Sequence, residues 1–333
     1  MAANLTPQYL KAQEQYRRAQ SLDEELRWLE VMFREIPKHK ASEKMQQDLK
    51  TKISRVKKEI ESESKTGGGK SSGPAVKIPR QGAGTVLVIG GPNAGKSQLL
   101  AKLTRATPEV APYPFTTRIP LPGMMPWEDV MVQLIDTPPI TKDFFEPYMQ
   151  GLIRGADVVL LMVDLGADEG IEQLQELLDR MNQTKTRLGR ESRLDEEDVG
   201  LSFTQTIVVA NKIDDPDGPA RLELLHEMCP LDLPELVVSL EQGTQVEELR
   251  TAIYRALDVV RVYTKNPRAK EADFDKPFTV RRGGTVLDIA ALVHQDVAAH
   301  FKFARLWGTG VHEGESVKGD HVVHDKDIVE LHT

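Results

Sequence analysis

The segment GGPNAGKS, residues 90–97, spaces Gly90, four further residues, Gly95, Lys96 and Ser97. Those residue types suit a chain of phosphates. Small residues let the backbone curl around phosphate oxygens, Lys96 brings a point charge to the β- and γ-phosphates and to transition-state charge, and the Ser97 hydroxyl reaches Mg²⁺. Gly91, Pro92, Asn93, Ala94 and the following Gln98 complete this cradle. An apolar strand precedes the loop and a helix follows it, which is the context that separates a phosphate loop from a chance glycine-rich turn. A second run, GGGKSS at 67–72, lacks the leading glycine, because Ser64 stands at that position.

NKID, 211–214, ends another apolar strand, at the carboxyl edge where open α/β sheets bind ligands. Asp214 can accept two hydrogen bonds from the N1–H and 2-amino group of guanine, a donor pair that adenine lacks. Asn211 and the stem of Lys212 would hold the base and the loops. In VVSLEQGT, Ser239 and Leu240 follow a further strand, and the backbone amide there is placed to meet guanine O6. The three stretches together point to a guanine nucleotide rather than ATP.

LIDTPPIT, 134–141, reads as the γ-phosphate sensor with one contact missing. Asp136 can hold Mg²⁺ through water. In the pattern Asp-x-x-Gly the glycine amide bonds the γ-phosphate, and here that residue is Pro139, which has no amide hydrogen. The loss is one charge-assisted bond, worth roughly 1.5–3 kcal/mol. The next position, where a water-orienting Gln would sit, is Ile140. Lys142 is a candidate replacement donor.

The elements that must position these residues are strands alternating with helices from residue 85: TVLVIGG, VMVQLID, DVVLLMVDL, TIVVANKID and ELVVSL, with a helix near 244–257. This rhythm predicts an α/β fold with a mostly parallel sheet covered on both faces. Residues 182–203 interrupt it as a charged insertion, read as a surface loop or short helix. Before the sheet, 7–36 and 42–62 read as two amphipathic helices forming a hairpin over residues 1–63, followed by a basic Gly/Ser/Pro linker at 64–84. The nucleotide domain spans 85–260. From 261 to 333 a strand, a Gly-Gly turn, a helix starting at Thr285 and several short strands suggest a small mixed domain, with Phe303 and Trp307 assigned to its core.

The formal net charge is −8, unevenly placed. Residues 1–82 carry 17 Lys and Arg against 11 Asp and Glu, residues 83–260 carry 15 against 29, and residues 261–333 carry 11 against 11. The basic first segment admits an RNA partner, while the acidic middle argues against a DNA-wrapping protein. A single cysteine, Cys229, excludes an internal disulfide framework. The longest apolar run, 158–165, is too short to span a bilayer, so the expected location is the cytoplasm. The histidines at 294, 300, 312, 321, 324 and 332 show no zinc spacing.

With YPFTT at 113–117 beside the phosphate loop and NKID, the chain resembles the Obg superfamily of GTPases, close to the developmentally regulated GTP-binding proteins. The resemblance implies a P-loop Ras-like G domain, an N-terminal helical hairpin and a C-terminal TGS domain of β-grasp fold. In that family's first switch the second threonine, Thr117 here, is the Mg²⁺ ligand of the GTP state, with Thr116 beside it. Asn93 sits where potassium-activated members place a K⁺ ligand. No long insert occupies the stretch before NKID, so partner contacts of relatives that carry an extra domain there are not transferred.

The implied function is a slow GTP-hydrolysing switch associated with the ribosome or RNA. The alternative is a guanine-nucleotide-binding adaptor with little hydrolysis, which Pro139 and Ile140 permit. An ATP-using P-loop enzyme is disfavoured by Asp214.

Overall fold

The computed structural model describes residues 5–19, 22–38, 42–65, 78–104, 120–195, 198, 200–269 and 271–333. The chain begins with three helices rather than two: α1 (Pro7–Arg17), α2 (Leu22–Glu35) and α3 (Glu43–Lys65). The helix expected over 7–36 is interrupted after Arg17. The first turn of α2 carries Asp23, Glu24 and Glu25, a helix-start signal outweighed in the sequence by the continuous run of charged residues around it. Thr6 caps α1, its hydroxyl accepting from the Tyr9 amide at 3.1 Å. Tyr9, Tyr16, Leu29, Met32, Leu49 and Val56 bury one face of each helix in a common core.

The nucleotide-domain elements are β1 (Thr85–Gly90), α4 (Lys96–Leu103), β2 (Leu121–Trp127), β3 (Val130–Asp136), α5 (Pro147–Gly155), β4 (Val158–Asp164) and α6 (Glu169–Asn182). They continue with β5 (Thr186–Gly189), β6 (Arg193–Leu194), β7 (Ser202–Asn211), α7 (Gly218–Met228), β8 (Glu235–Val238) and α8 (Val246–Leu257). The sheet runs β2-β3-β1-β4-β7, with β8 parallel to the last four residues of β7. Among the described strands of this sheet, β2 and β6 pair antiparallel and the others parallel. Strand β1 is buried along its whole length because both faces are covered. Val86 and Val88 face Leu99, Leu100 and Ile253, while Leu87 and Ile89 face Met149, Ile153 and Leu174.

Three strands were not legible in the sequence. Strand β2 reads LPGMMPW, and its prolines and glycine argue against a central strand; it lies at the sheet edge, where missing amide donors are tolerated. The charged insertion at 182–203, read as a loop or short helix, contains two short strands, β5 and β6, hydrogen-bonded to the first residues of β7. Leu194 of β6 packs into the helical core, so this pair seats the N-terminal helices on the sheet.

The last elements are β9 (Val259–Thr264), β10 (Asp273–Arg281), α9 (Val286–Val293), α10 (Gln295–Ala299), β11 (Phe303–Trp307), β12 (Glu315–Val317) and β13 (Asp327–His332). Their sheet runs β10-β9-β13-β11-β12 with β9 and β13 parallel at its centre, and α9 lays Val286, Ile289 and Ala290 across it. Thr285 caps α9 through a complete capping box with Asp288. Phe303 and Trp307 do share one strand face, but it is the outer one. Ala304 and Leu306 fill the core, while Phe303 stacks on His332 and Lys265 lies 4.6 Å from the Trp307 ring. Period-two patterning shows which residues share a face, but not which face turns inward.

Two ionic junctions join these parts. Arg261 of β9, 4% exposed, reaches Glu128, Asp129 and Asp325, and the Tyr263 hydroxyl donates to Asp129. Glu128 and Asp129 form the β2–β3 turn, where Trp127 stacks on Tyr254 at 3.6 Å. Elsewhere Asp157, between α5 and β4, receives Arg18 at 2.9 Å, Arg281 at 3.2 Å and Arg80 at 3.6 Å.

Candidate functional site

The loop after β1 turns into α4 as a cradle whose tightness explains its glycines. Gly95 has φ 94°, and a Cβ there would lie 2.4 Å from the Asn211 amide nitrogen. A Cβ on Gly91 would lie 2.3 Å from Gln173 Oε1 of α6. Asn93 also takes a left-handed conformation, φ 59°, and is exposed at the outer lip.

Lys96 is buried and donates to the carbonyls of Gly91 at 2.7 Å and Gly90 at 3.1 Å. An ammonium has three N–H groups, so the carbonyls position it and one donor is left for an incoming oxygen. Burial pushes its pKa down to about 8, opposed by the charge of Asp136. The cost of this buried cation favours an anion beside it.

Asp136, at the end of β3, is fully buried. Its Oδ2 accepts from Ser97 Oγ at 2.6 Å, whereas its Oδ1 is buried without a hydrogen-bond partner among the described residues. Burial raises its pKa against the opposing Ser97 bond and Lys96 charge. A hydroxyl and a carboxylate this close, with one oxygen unsatisfied, form a hard-oxygen donor set that fits Mg²⁺.

Beyond Asp136, Thr137 donates its hydroxyl to the Val88 carbonyl at 2.7 Å. The Ile140 amide donates to Gly90, and the Ile140 side chain lies in the apolar core with Ile135, Met149 and Ile153. Ile140 is therefore a packing residue. Lys142 is exposed, and its amide rather than its ammonium contacts Glu176, at 3.4 Å.

Asn211 joins the cradle to the next loop. Its Nδ2 donates to the Ala94 carbonyl at 3.1 Å and its Oδ1 accepts from the Leu240 amide at 3.2 Å. The Leu240 side chain finds room in the core at 1% exposure, but its amide is engaged by Asn211, so it is not the free donor to O6 that the sequence suggested. Ser239 shapes the turn, its hydroxyl accepting from the Gln242 amide at 3.0 Å. Lys212, φ 68°, is held by Asp164 at 2.6 Å, which lays its stem along the pocket wall. Asp214 is exposed, with no hydrogen bond or ion pair among the described residues, the condition expected of a carboxylate waiting for a ligand.

Cradle, Asp136, Asn211, Lys212 and Asp214 thus gather at the carboxyl edge of β1, β3 and β7. Thr116 and Thr117 lie outside the described residues, as do Lys70, Lys77 and the GGGKSS run. Sequence reasoning missed Asp164, Gln173 and Glu241, the last of which pairs with Gln98 at 3.0 Å. Asp164 could have been found, because it is a carboxylate closing the apolar run VVLLMV. The other two depend on long-range packing.

Comparison with known proteins agrees with this geometry. Residues 85–199 match the profile described as 50S ribosome-binding GTPase, and residues 260–333 match the TGS domain. An uncharacterised GTP-binding protein of Methanocaldococcus jannaschii is 30% identical, the alignment covering 93% of this chain and 92% of that protein. Developmentally-regulated G-protein 2 of Arabidopsis thaliana is 26% identical, with 92% and 90% covered. Among solved structures, a GTP binding protein from Pyrococcus horikoshii shares the fold at a TM-score of 0.50 and 15% identity, covering 75% of this chain and 99% of its own.

Proposed function

Because this chain belongs to the DRG-like family of GTP-binding proteins, we propose that it is a slow GTPase switch, cleaving GTP to GDP and phosphate, that works with the ribosome or RNA in the cytoplasm. The observation that carries the guanine reading is Asp214, a free carboxylate beside the Asn211 bridge. In this reading Asp214 accepts from N1–H and the 2-amino group, and Lys212 covers one face of the base. Amides of Asn93, Ala94, Gly95, Lys96, Ser97 and Gln98 surround the phosphates, with Gly90, Gly91 and Pro92 shaping the approach. Ser239 and Leu240 act through the loop that Asn211 holds.

Mg²⁺ would be held by Ser97, by Asp136 through water and, in the GTP state, by Thr117 next to Thr116. It supplies charge neutralisation between the phosphates. The chain itself positions the phosphates through Lys96. Phosphoryl transfer to water depends mainly on such positioning and charge, and no side chain at 140 is available to orient the water, which supports a slow intrinsic rate. Asn93, exposed at the lip, is the candidate ligand for a stimulating K⁺.

The ribosome or RNA reading is supported by the description of the matching profile and by the basic first segment. A binding adaptor with little hydrolysis is favoured by one specific observation, the burial of Ile140 beside Pro139. Calorimetry with GTP, GDP and ATP in Mg²⁺ tests the nucleotide. Single-turnover cleavage with and without ribosomes separates the two readings: no cleavage in either condition leaves the adaptor.

A further inference from the structure

Three arginines from three parts of the chain converge on two carboxylates. Arg18 pairs with Glu14 at 2.6 Å and Asp157 at 2.9 Å, Arg281 with Glu14 at 3.0 Å and Asp157 at 3.2 Å, and Arg80 with Asp157 at 3.6 Å. Arg17, 3% exposed, lies among them and donates to the Arg154 carbonyl at 3.1 Å. The cluster therefore holds more positive than negative charge in a poorly solvated place. Arg17 Nη2 and Arg18 Nε are buried donors without hydrogen-bond partners among the described residues, against one such acceptor, Glu14 Oε1. Unsatisfied buried donors beside surplus positive charge are the conditions under which an anion is bound.

A cavity of about 420 Å³ opens beside this cluster, between α1, α2 and the residues leading into β1. That volume falls within the range of small-molecule sites. Arg18, Arg80 and Arg27 line it with Trp28, Ile78 and Pro79, and Gln15 and one carboxylate, Glu24, also face it. Arg27 already lies over the Trp28 ring at 5.4 Å. Three guanidiniums against one carboxylate leave the lining net cationic, with an indole, an isoleucine and a proline as its apolar part.

We infer that this cavity is a second binding site, separate from the phosphate loop, for a nucleotide unit whose phosphate meets Arg18 and Arg80 and whose base stacks on Trp28. Aromatic stacking tolerates any base, so the site selects the phosphate–base combination rather than a sequence. The unit belongs to a free mononucleotide or to an RNA strand, which share this chemistry.

The test uses the full chain with the phosphate loop filled by GDP and Mg²⁺, so that failure here leaves the GTPase reading intact. The probes are AMP and a 5′-phosphorylated pentaribonucleotide carrying a 3′ fluorophore. The expected result is half-saturation of the oligonucleotide below about 1 mM, weakened about tenfold by Arg27→Glu and by Trp28→Leu, and retained by Trp28→Phe. GDP affinity should be unchanged in all three. Displacement of the oligonucleotide by AMP assigns the site to a free nucleotide; binding that AMP does not displace assigns it to the strand. The inference is overturned if neither probe binds below about 1 mM, or if Arg27→Glu, at an exposed position, binds both probes as the parent chain does.

Discussion

Ile140 donates its backbone amide to the carbonyl oxygen of Gly90 at 3.2 Å, latching the segment after Asp136 onto the phosphate loop. The same oxygen receives the Lys96 ammonium. The latch lets Pro139 occupy the usual glycine position without unravelling the segment, because the hydrogen bond is made one residue later.

Ile140 should behave as a core residue. Ile140→Ala is expected to cost about 2–5 kcal/mol in denaturant unfolding, the range for buried Ile-to-Ala changes. Ile140→Gln should also destabilise the chain, without increasing GTP cleavage in a single-turnover assay. A faster Gln variant would mean that the side chain leaves the core in the GTP state.

Pro139→Gly restores an amide donor where the γ-phosphate is read. Affinity for GTP relative to GDP should rise by roughly tenfold, in keeping with about 1.5 kcal/mol for one charge-assisted bond. Calorimetry of both nucleotides on both proteins checks it. An unchanged ratio would show that another donor already serves.

Asp214→Asn should weaken GDP binding by at least about tenfold and turn preference toward xanthosine nucleotides, whose 2-oxo group complements the Asn amide. Competition between GDP and XDP measures the switch.

Turnover in KCl should exceed that in NaCl at equal ionic strength, and Asn93→Ala should abolish the difference. Equal rates for the unaltered chain remove the K⁺ role of Asn93.

Asp157 gives a pH prediction. Burial raises its pKa, but Arg18, Arg80, the Thr85 amide and Arg281 together hold it below the ordinary carboxylate range. A depressed folded-state pKa stabilises at every pH above the unfolded value, and that contribution is lost as pH falls through the folded value. Asp157→Asn should therefore lower Tm fully at pH 7, with the deficit shrinking only below about pH 4. A deficit of constant size down to pH 2.5 would contradict it.

The chemistry of the site was legible because it is written locally. A phosphate loop needs its glycines, Lys96 and Ser97 within eight residues, and Asp214 lies three residues after Asn211. Strands buried on both faces were readable as apolar runs. What could not be read depends on distant partners. The Leu240 amide is taken by Asn211, 29 residues away, and Asp157 draws arginines 139, 77 and 124 residues distant along the chain. The inward face of β11 is likewise decided by where the sheet meets α9, which no single strand records.

The hairpin of β2 and β3 has a further consequence. At one end Leu121 is paired with Asp136 beside the loop of residues 90–97; at the other, the turn after Trp127 is gripped by Arg261 and Tyr263. The two ends are about 20 Å apart, seven residues of extended chain. A ribbon held at both ends has the form of a lever: a tilt at the Asp136 tip would strain the grip at the far tip. The C-terminal domain is thereby joined to the candidate site through one continuous ribbon.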